Sequence, residues 1–93
     1  MGLTMLRQHA IALGERFPEL SEAQRSALVT CFMSNGLRRS EGAWRGEGDN
    51  RISGMVVADL SRDGWLAVNK VRGLAQLTEL RLQQVEALLV GSG

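Results

Sequence analysis

The stretch RISGMVVADLSRDGWLAV, residues 51–68, sets a short helical pattern, a glycine stop and a tryptophan-led extended run side by side. Ser53 stands where it caps a helix over 54–63, GMVVADLSRD, with Val56, Val57 and Leu60 turned inward and Gly64 as the stop. The β-branched pair lowers helix propensity, so tertiary packing has to hold this segment. Trp65–Val68 and Gly73–Leu77 then read as extended runs around the polar NKVR of 69–72, which predicts a hairpin.

Upstream, the spacing of Leu3, Leu6, Ala10 and Leu13, with Ile11 beside them, predicts a helix over 3–14 that Gly14 closes. Pro18 breaks the chain. Ser21-Glu-Ala-Gln is a capping-box pattern in which Gln24 reaches back to the start of a second helix. Leu20, just before that cap, either staples against the stem of Arg25 or joins the core. Leu28, Cys31 and Phe32 form the buried stripe, and Asn35-Gly36 ends the helix.

LRRSEGAWRGEGDN, residues 37–50, is interrupted by Gly42, Gly46, Gly48 and Asn50. It reads as a short strand or two around Leu37–Ser40 and Ala43–Arg45 with a loose turn between, against a flexible loop as the alternative. Downstream of the hairpin, Thr78 caps a last helix, TELRLQQVEALLV. There Leu82, Val85 and Leu89 repeat with Leu88 beside them, and Gly91–Gly93 is expected to fray.

A chain of 93 residues is a single small domain. It buries only about 60–65% of its unfolded surface, so one core or a dimer interface has to carry its stability. Charge is balanced: residues 1–50 carry six groups of each sign, and residues 51–93 carry five basic and four acidic. No basic arm or acidic tail points to a partner. The one cysteine, Cys31, lies in LVTCFM and reads as a buried small hydrophobe. MGLTMLRQH shows no secretory pattern, and no apolar run approaches the ~18 residues that span a bilayer, so a cytoplasmic protein is the expectation.

The order helix, helix, weak strand, helix, hairpin, helix resembles a winged helix-turn-helix domain (α-α-β-α-β-β-α), mainly α with a small β-hairpin, over residues 1–93. LSEAQRSALV at 20–29 resembles the family's second helix. The opening stretch resembles its recognition helix and wing entry, with Leu60, Arg62, Gly64 and Trp65 in an L-x-R-x-G-hydrophobic pattern. LAQLTELRLQQVEALL at 74–89 resembles the return strand and closing helix of MarR-like regulators, with Arg81 where those proteins often carry glycine.

The resemblance implies a small DNA-binding transcriptional regulator with double-stranded DNA as partner. In such domains the exposed face of the recognition helix reads base edges in the major groove. Here that face offers Met55, Ala58, Asp59, Ser61 and Arg62, with Ser53 at its entrance. Arg62 either contacts base or phosphate or pairs with Asp59. Asp59 can accept from cytosine but repels the backbone. Arg38, Arg39, Arg45 and Arg51 around the glycine-rich segment, with Lys70 and Arg72 at the wing tip, are candidate phosphate contacts on one side, against the neutralising reading through Glu41, Glu47 and Asp49.

MarR-like proteins pair through their terminal helices, which implies a homodimer. Leu3, Leu6, Ile11 and Leu88 are candidate contact residues, against the reading that they complete a monomer core. Trp44 and Trp65 read as core filler at the wing base rather than base-stacking platforms. One histidine and one cysteine are too few for a zinc set, GEGDN at 46–50 lacks the ligands of an EF-hand, and no phosphate loop is present. Neither catalysis, metal nor cofactor is expected. The alternative to DNA is a winged helix, of phage or mobile-element type, used as a protein-interaction or inhibitory module with Met55 at the contact.

Overall fold

A computed structural model of the chain describes residues 2–46 and 51–90, with side chains from Arg7 onward. The expected frayed tail at 91–93, the carboxylates Glu47 and Asp49, and the side chains of Leu3 and Leu6 lie outside the described residues. The elements are α1 (Gly2–Arg16), α2 (Glu22–Ser34), β1 (Leu37–Ser40), β2 (Ala43–Arg45), β3 (Arg51–Ile52), α3 (Gly54–Arg62), β4 (Leu66–Asn69), β5 (Leu74–Leu77) and α4 (Glu79–Leu89). Together they make an α/β domain in which the helices cover one face of an antiparallel sheet of order β3-β2-β1-β5-β4.

The second helix forms as its sequence signals. The Ser21 N–H donates to Gln24 Oε1 at 2.8 Å while the Gln24 N–H donates to Ser21 Oγ at 3.2 Å, so both halves of the capping box are made. Asn35 ends it in the left-handed region at φ 59°, and the Gly36 N–H closes on the Cys31 carbonyl at 2.8 Å. α3 is capped by Ser53, whose Oγ accepts from the Met55 N–H at 3.1 Å. Gly64, at φ 81°, turns the chain out of it into β4.

The sheet departs from expectation. In place of a mainly α domain with one small hairpin there is a five-stranded sheet: the strands expected at Leu37–Ser40 and Ala43–Arg45 form as β1 and β2, and a third, β3, follows them, so the order is α-α-β-β-β-α-β-β-α and no short turn joins α2 to α3. Glu41 and Gly42, at φ 53° and 78°, form a tight two-residue loop with both central residues left-handed, rather than a loose turn. β3 is only two residues long and is held by pairing Trp44 with Ile52 and Arg45 with Arg51. β5 then bonds to β1, and β4 to β5, as an antiparallel meander.

Three local expectations are also corrected. Gly14 does not close α1, which runs on to Arg16; Gly14 is buried under the Arg25 side chain, and a Cβ there would collide with the guanidinium. Thr78 occupies the N-cap of α4 but makes no side-chain cap; its hydroxyl donates to the Gly64 carbonyl at 2.8 Å and ties α4 to the turn that leads into β4. Leu82 is exposed, because α4 turns Arg81, Val85, Leu88 and Leu89 inward instead.

The core joins Leu13, Phe17 and Leu20 with Leu28, Val29 and Cys31 of α2, Val57 and Leu60 of α3, Val85 of α4, and the inward side chains of the sheet. Register and alternation sort the strands into two faces. Leu37, Trp44, Ile52, Leu66 and Ala75 point to the helices and are buried. On the other face Arg38, Ser40, Arg51, Ala67, Asn69 and Gln76 are exposed.

Candidate nucleic-acid interface

The helix α3 and the hairpin ends bound a half-open groove of about 420 Å³. One wall is a helical stripe, Gly54, Val57, Ala58, Ser61 and Arg62, whose spacing of three and four residues keeps it on one side of α3. Arg39, Gly42, Trp44, Val68 and Lys70 form the other. Both hairpin loops lie at the same end of the sheet, because β1 runs into the Glu41–Gly42 loop alongside the start of β5. The Arg39 N–H donates to the Gly73 carbonyl at 2.8 Å there. Among the described residues the lining carries three cations and no carboxylate over an apolar floor, so it suits an anion with an apolar or sugar-like body.

Electrostatics on α3 itself are mixed. Arg62 donates to Asp59 Oδ1 at 2.7 Å across one helical turn, with side-chain exposures of 75% and 42%. The two readings of Arg62 therefore meet in one residue: it lines the groove and is held by a carboxylate beside it. Met55 is 74% exposed at the first turn of α3, and Val71 is 96% exposed at the β4–β5 loop.

The candidate phosphate contacts do not lie on one side, as the sequence alone suggested. Arg39, Arg62 and Lys70 meet at the groove. Arg38, Arg45 and Arg51 leave the opposite face of the sheet, being paired with one another across β1, β2 and β3. The reason is alternation: adjacent arginines in a strand must point to opposite faces. Arg72 is exposed in the β4–β5 loop, where its N–H donates to Asn69 Oδ1 at 3.1 Å. The Ser53 hydroxyl oxygen is engaged in the helix cap. Glu41 partly neutralises Arg45 at 3.7 Å.

Two features of the groove were missed in the sequence. Trp44 is buried core, as expected, yet its edge also floors the groove. Gly54, Ala58 and Ser61 keep the α3 wall low, and their spacing could have shown it. Of the candidate contact residues for a partner chain, Ile11 and Met55 are exposed, whereas Leu88 packs against the core. Cys31 is buried against the Ala75 carbonyl, and desolvation pushes its pKa up to about 11, so its thiol is inert at neutral pH. Among the described residues no group of three or more His, Cys, Asp or Glu could hold a metal, and no helix is long and apolar enough to cross a membrane.

The chain matches no protein-family model, no curated protein and no solved structure.

Proposed function

We propose that this chain binds double-stranded DNA as a small winged-helix regulator, with α3 as its reading helix and the β4–β5 hairpin as its wing. The observation that carries this reading is the groove in which Arg39, Arg62 and Lys70 converge with no carboxylate among the described lining residues. The strip β1-β5-β4 beside α3 supports the winged-helix part, since it sets a hairpin tip next to the exposed side of a capped helix. The β2 and β3 strands beyond β1 are then an elaboration of the sheet, and Arg39 of β1 joins the same surface.

Three cations that neutralise phosphates release about as many counterions. The logarithm of the binding constant then falls against log salt with a slope of roughly −3 per protomer. Ala58, Ser61 and Arg62 face any duplex seated on α3, and Arg62 alone of these discriminates guanine through a two-pronged contact. Pairing of two copies through α1 and α4 would double the phosphate contacts; exposed Ile11, Leu80, Leu82 and Val90 on those helices support it.

Fluorescence anisotropy with random-sequence duplex at two salt concentrations, on protein of known solution mass, tests the reading. Micromolar binding that weakens steeply with salt supports it. No binding at low salt sinks it and favours a second reading, a protein-interaction module. Exposed Met55, with Arg62 already neutralised by Asp59 beside it, supports that alternative.

A further inference from the structure

Arg38 of β1 stands directly opposite Arg45 of β2, and Arg45 directly opposite Arg51 of β3. Directly opposed side chains on one face have Cβ atoms about 5 Å apart, so three arginine side chains leave the sheet in a row at right angles to the strands. Like charges in such positions destabilise a sheet. Among the described residues one carboxylate answers the row, Glu41 at 3.7 Å from Arg45, which is beyond hydrogen-bond distance. Arg38 and Arg51 are exposed and carry no ion pair or hydrogen bond among the described residues. The Arg45 Nε, buried in the middle of the row, has no acceptor among the described residues.

We propose that this arginine-bearing face is a second nucleic-acid surface, on which Arg38, Arg45 and Arg51 take the phosphate backbone of a further duplex segment. The row leaves the sheet on the side away from α3, so a duplex seated in the groove leaves it uncovered. A line of guanidinium groups repelling one another at close spacing is complementary to a line of phosphates, and each arginine offers a planar fork to phosphate oxygens. The face carries no aromatic side chain among its described residues: Trp44 points to the core. Stacking of unpaired bases is therefore not available, which favours a duplex over a single strand. Contacts of this kind position a backbone without reading its sequence. The duplex is a second one only if the groove reading holds; the affinity of the row for a duplex does not depend on it.

Two triple variants separate the surfaces, R38Q/R45Q/R51Q for the row and R39Q/R62Q/K70Q for the groove. Removing the row's self-repulsion is expected to leave the thermal unfolding temperature unchanged or raised, and Arg51→Gln alone provides a graded version. Two readouts apply: anisotropy with a random-sequence duplex across a salt series, and retention of a labelled duplex on beads that carry a second, biotinylated duplex. The groove variant is expected to keep binding duplex with a salt slope of roughly −3. Arg51→Gln in that background reduces the slope by about one. The parent retains the labelled duplex at least several-fold better than the row variant does. A groove variant that binds no duplex at low salt overturns the proposal, as does a groove variant whose salt slope Arg51→Gln leaves unchanged. A groove variant that prefers polyglutamate to duplex also overturns it and assigns the face to an acidic protein. Failure of the groove reading is distinct: there the row variant alone loses all duplex binding.

Discussion

The guanidinium carbon of Arg81 lies 4.1 Å from the ring centroid of Trp65 and 5.7 Å from that of Phe17, and the two rings meet edge to face at 4.8 Å. α4 thus begins its inward stripe with a cation laid over aromatic faces, and the guanidinium is held in place by donation to Gln84 Oε1 at 2.9 Å. Arg81 is thus part of the packing between the residue that follows α1, the entry to β4 and α4. Arg81→Ala is expected to lower stability by about 1 kcal/mol, the size of a partly desolvated cation–π contact. Arg81→Gly is expected to lose about 1 kcal/mol more through helix propensity. Urea unfolding followed by tryptophan fluorescence checks the order Arg, Ala, Gly at unchanged m-value; an alanine variant as stable as the parent would show that the stacking contributes nothing.

The Glu41–Gly42 loop makes an independent test of the β1–β2 hairpin. A Cβ at Gly42 meets nothing within 4 Å, so Gly42→Ala tests backbone strain at φ 78° alone and is expected to cost about 1–2 kcal/mol. Glu41→Asn, a residue that tolerates the left-handed region, is expected to raise stability by about 0.5 kcal/mol. The pair that it gives up with Arg45 is long and exposed on the Glu41 side, so its loss is small. Thermal unfolding of the two variants should move in opposite directions. A tolerated Gly42→Ala would mean that the loop is not the tight left-handed pair.

The parts that were legible in the sequence are those with a local signal of their own. α2 has a capping box and an Asn-Gly stop, α3 has Ser53 and Gly64, and the β4–β5 hairpin has apolar runs around a polar turn. β3 was not legible, because Arg51–Ile52 is too short to show a period and is fixed only by its neighbour β2. Glu41 hid the β1–β2 loop, since asparagine or glycine usually marks its position. The division of the arginines between two faces was implicit in the neighbouring Arg38 and Arg39, but which face met α3 depended on pairing between β1 and β5. The hydroxyl of Thr78 looked like a cap and serves Gly64, a contact that links residues fourteen apart and leaves no local trace.

Cys31 provides a pH test with little interference. Burial raises its pKa from 9.0 to about 11, so the fold favours the neutral thiol. A raised pKa contributes stability that is fully present below the unfolded value and lost as pH climbs through the folded one. Stability is therefore expected to fall between about pH 9 and about pH 11, by no more than about 2–3 kcal/mol. The chain has no tyrosine, and Lys70 is its one lysine, so few other side chains titrate in that window. Urea midpoints of the parent and Cys31→Ala across pH 8 to about 11 should converge at the alkaline end, the alanine variant being less stable at pH 8 through the cavity it leaves. Parallel pH profiles would remove Cys31 as the cause, and thiol labelling of the native protein at neutral pH as fast as in urea would contradict its burial.

Under the proposed DNA-binding reading, Asp59 decides how Arg62 takes part. The two side chains meet at 2.7 Å, yet the pair is exposed enough that breaking it is expected to cost only about 0.3–0.5 kcal/mol of stability. If the groove takes phosphate, Asp59→Asn frees Arg62 and removes a negative charge from the approach to the groove. Duplex affinity should then rise roughly threefold to tenfold, a gain of about 1 kcal/mol. Arg62→Ala should weaken binding to all sequences, and in that background Asp59→Asn should recover little, because no guanidinium remains to be released. The opposite result is just as specific. Should Asp59 accept from a cytosine amino group, Asp59→Asn would weaken binding and relax preference at one base pair by about 1–3 kcal/mol. Anisotropy across a salt series, with random and selected duplexes, distinguishes a carboxylate that restrains the groove from one that reads a base.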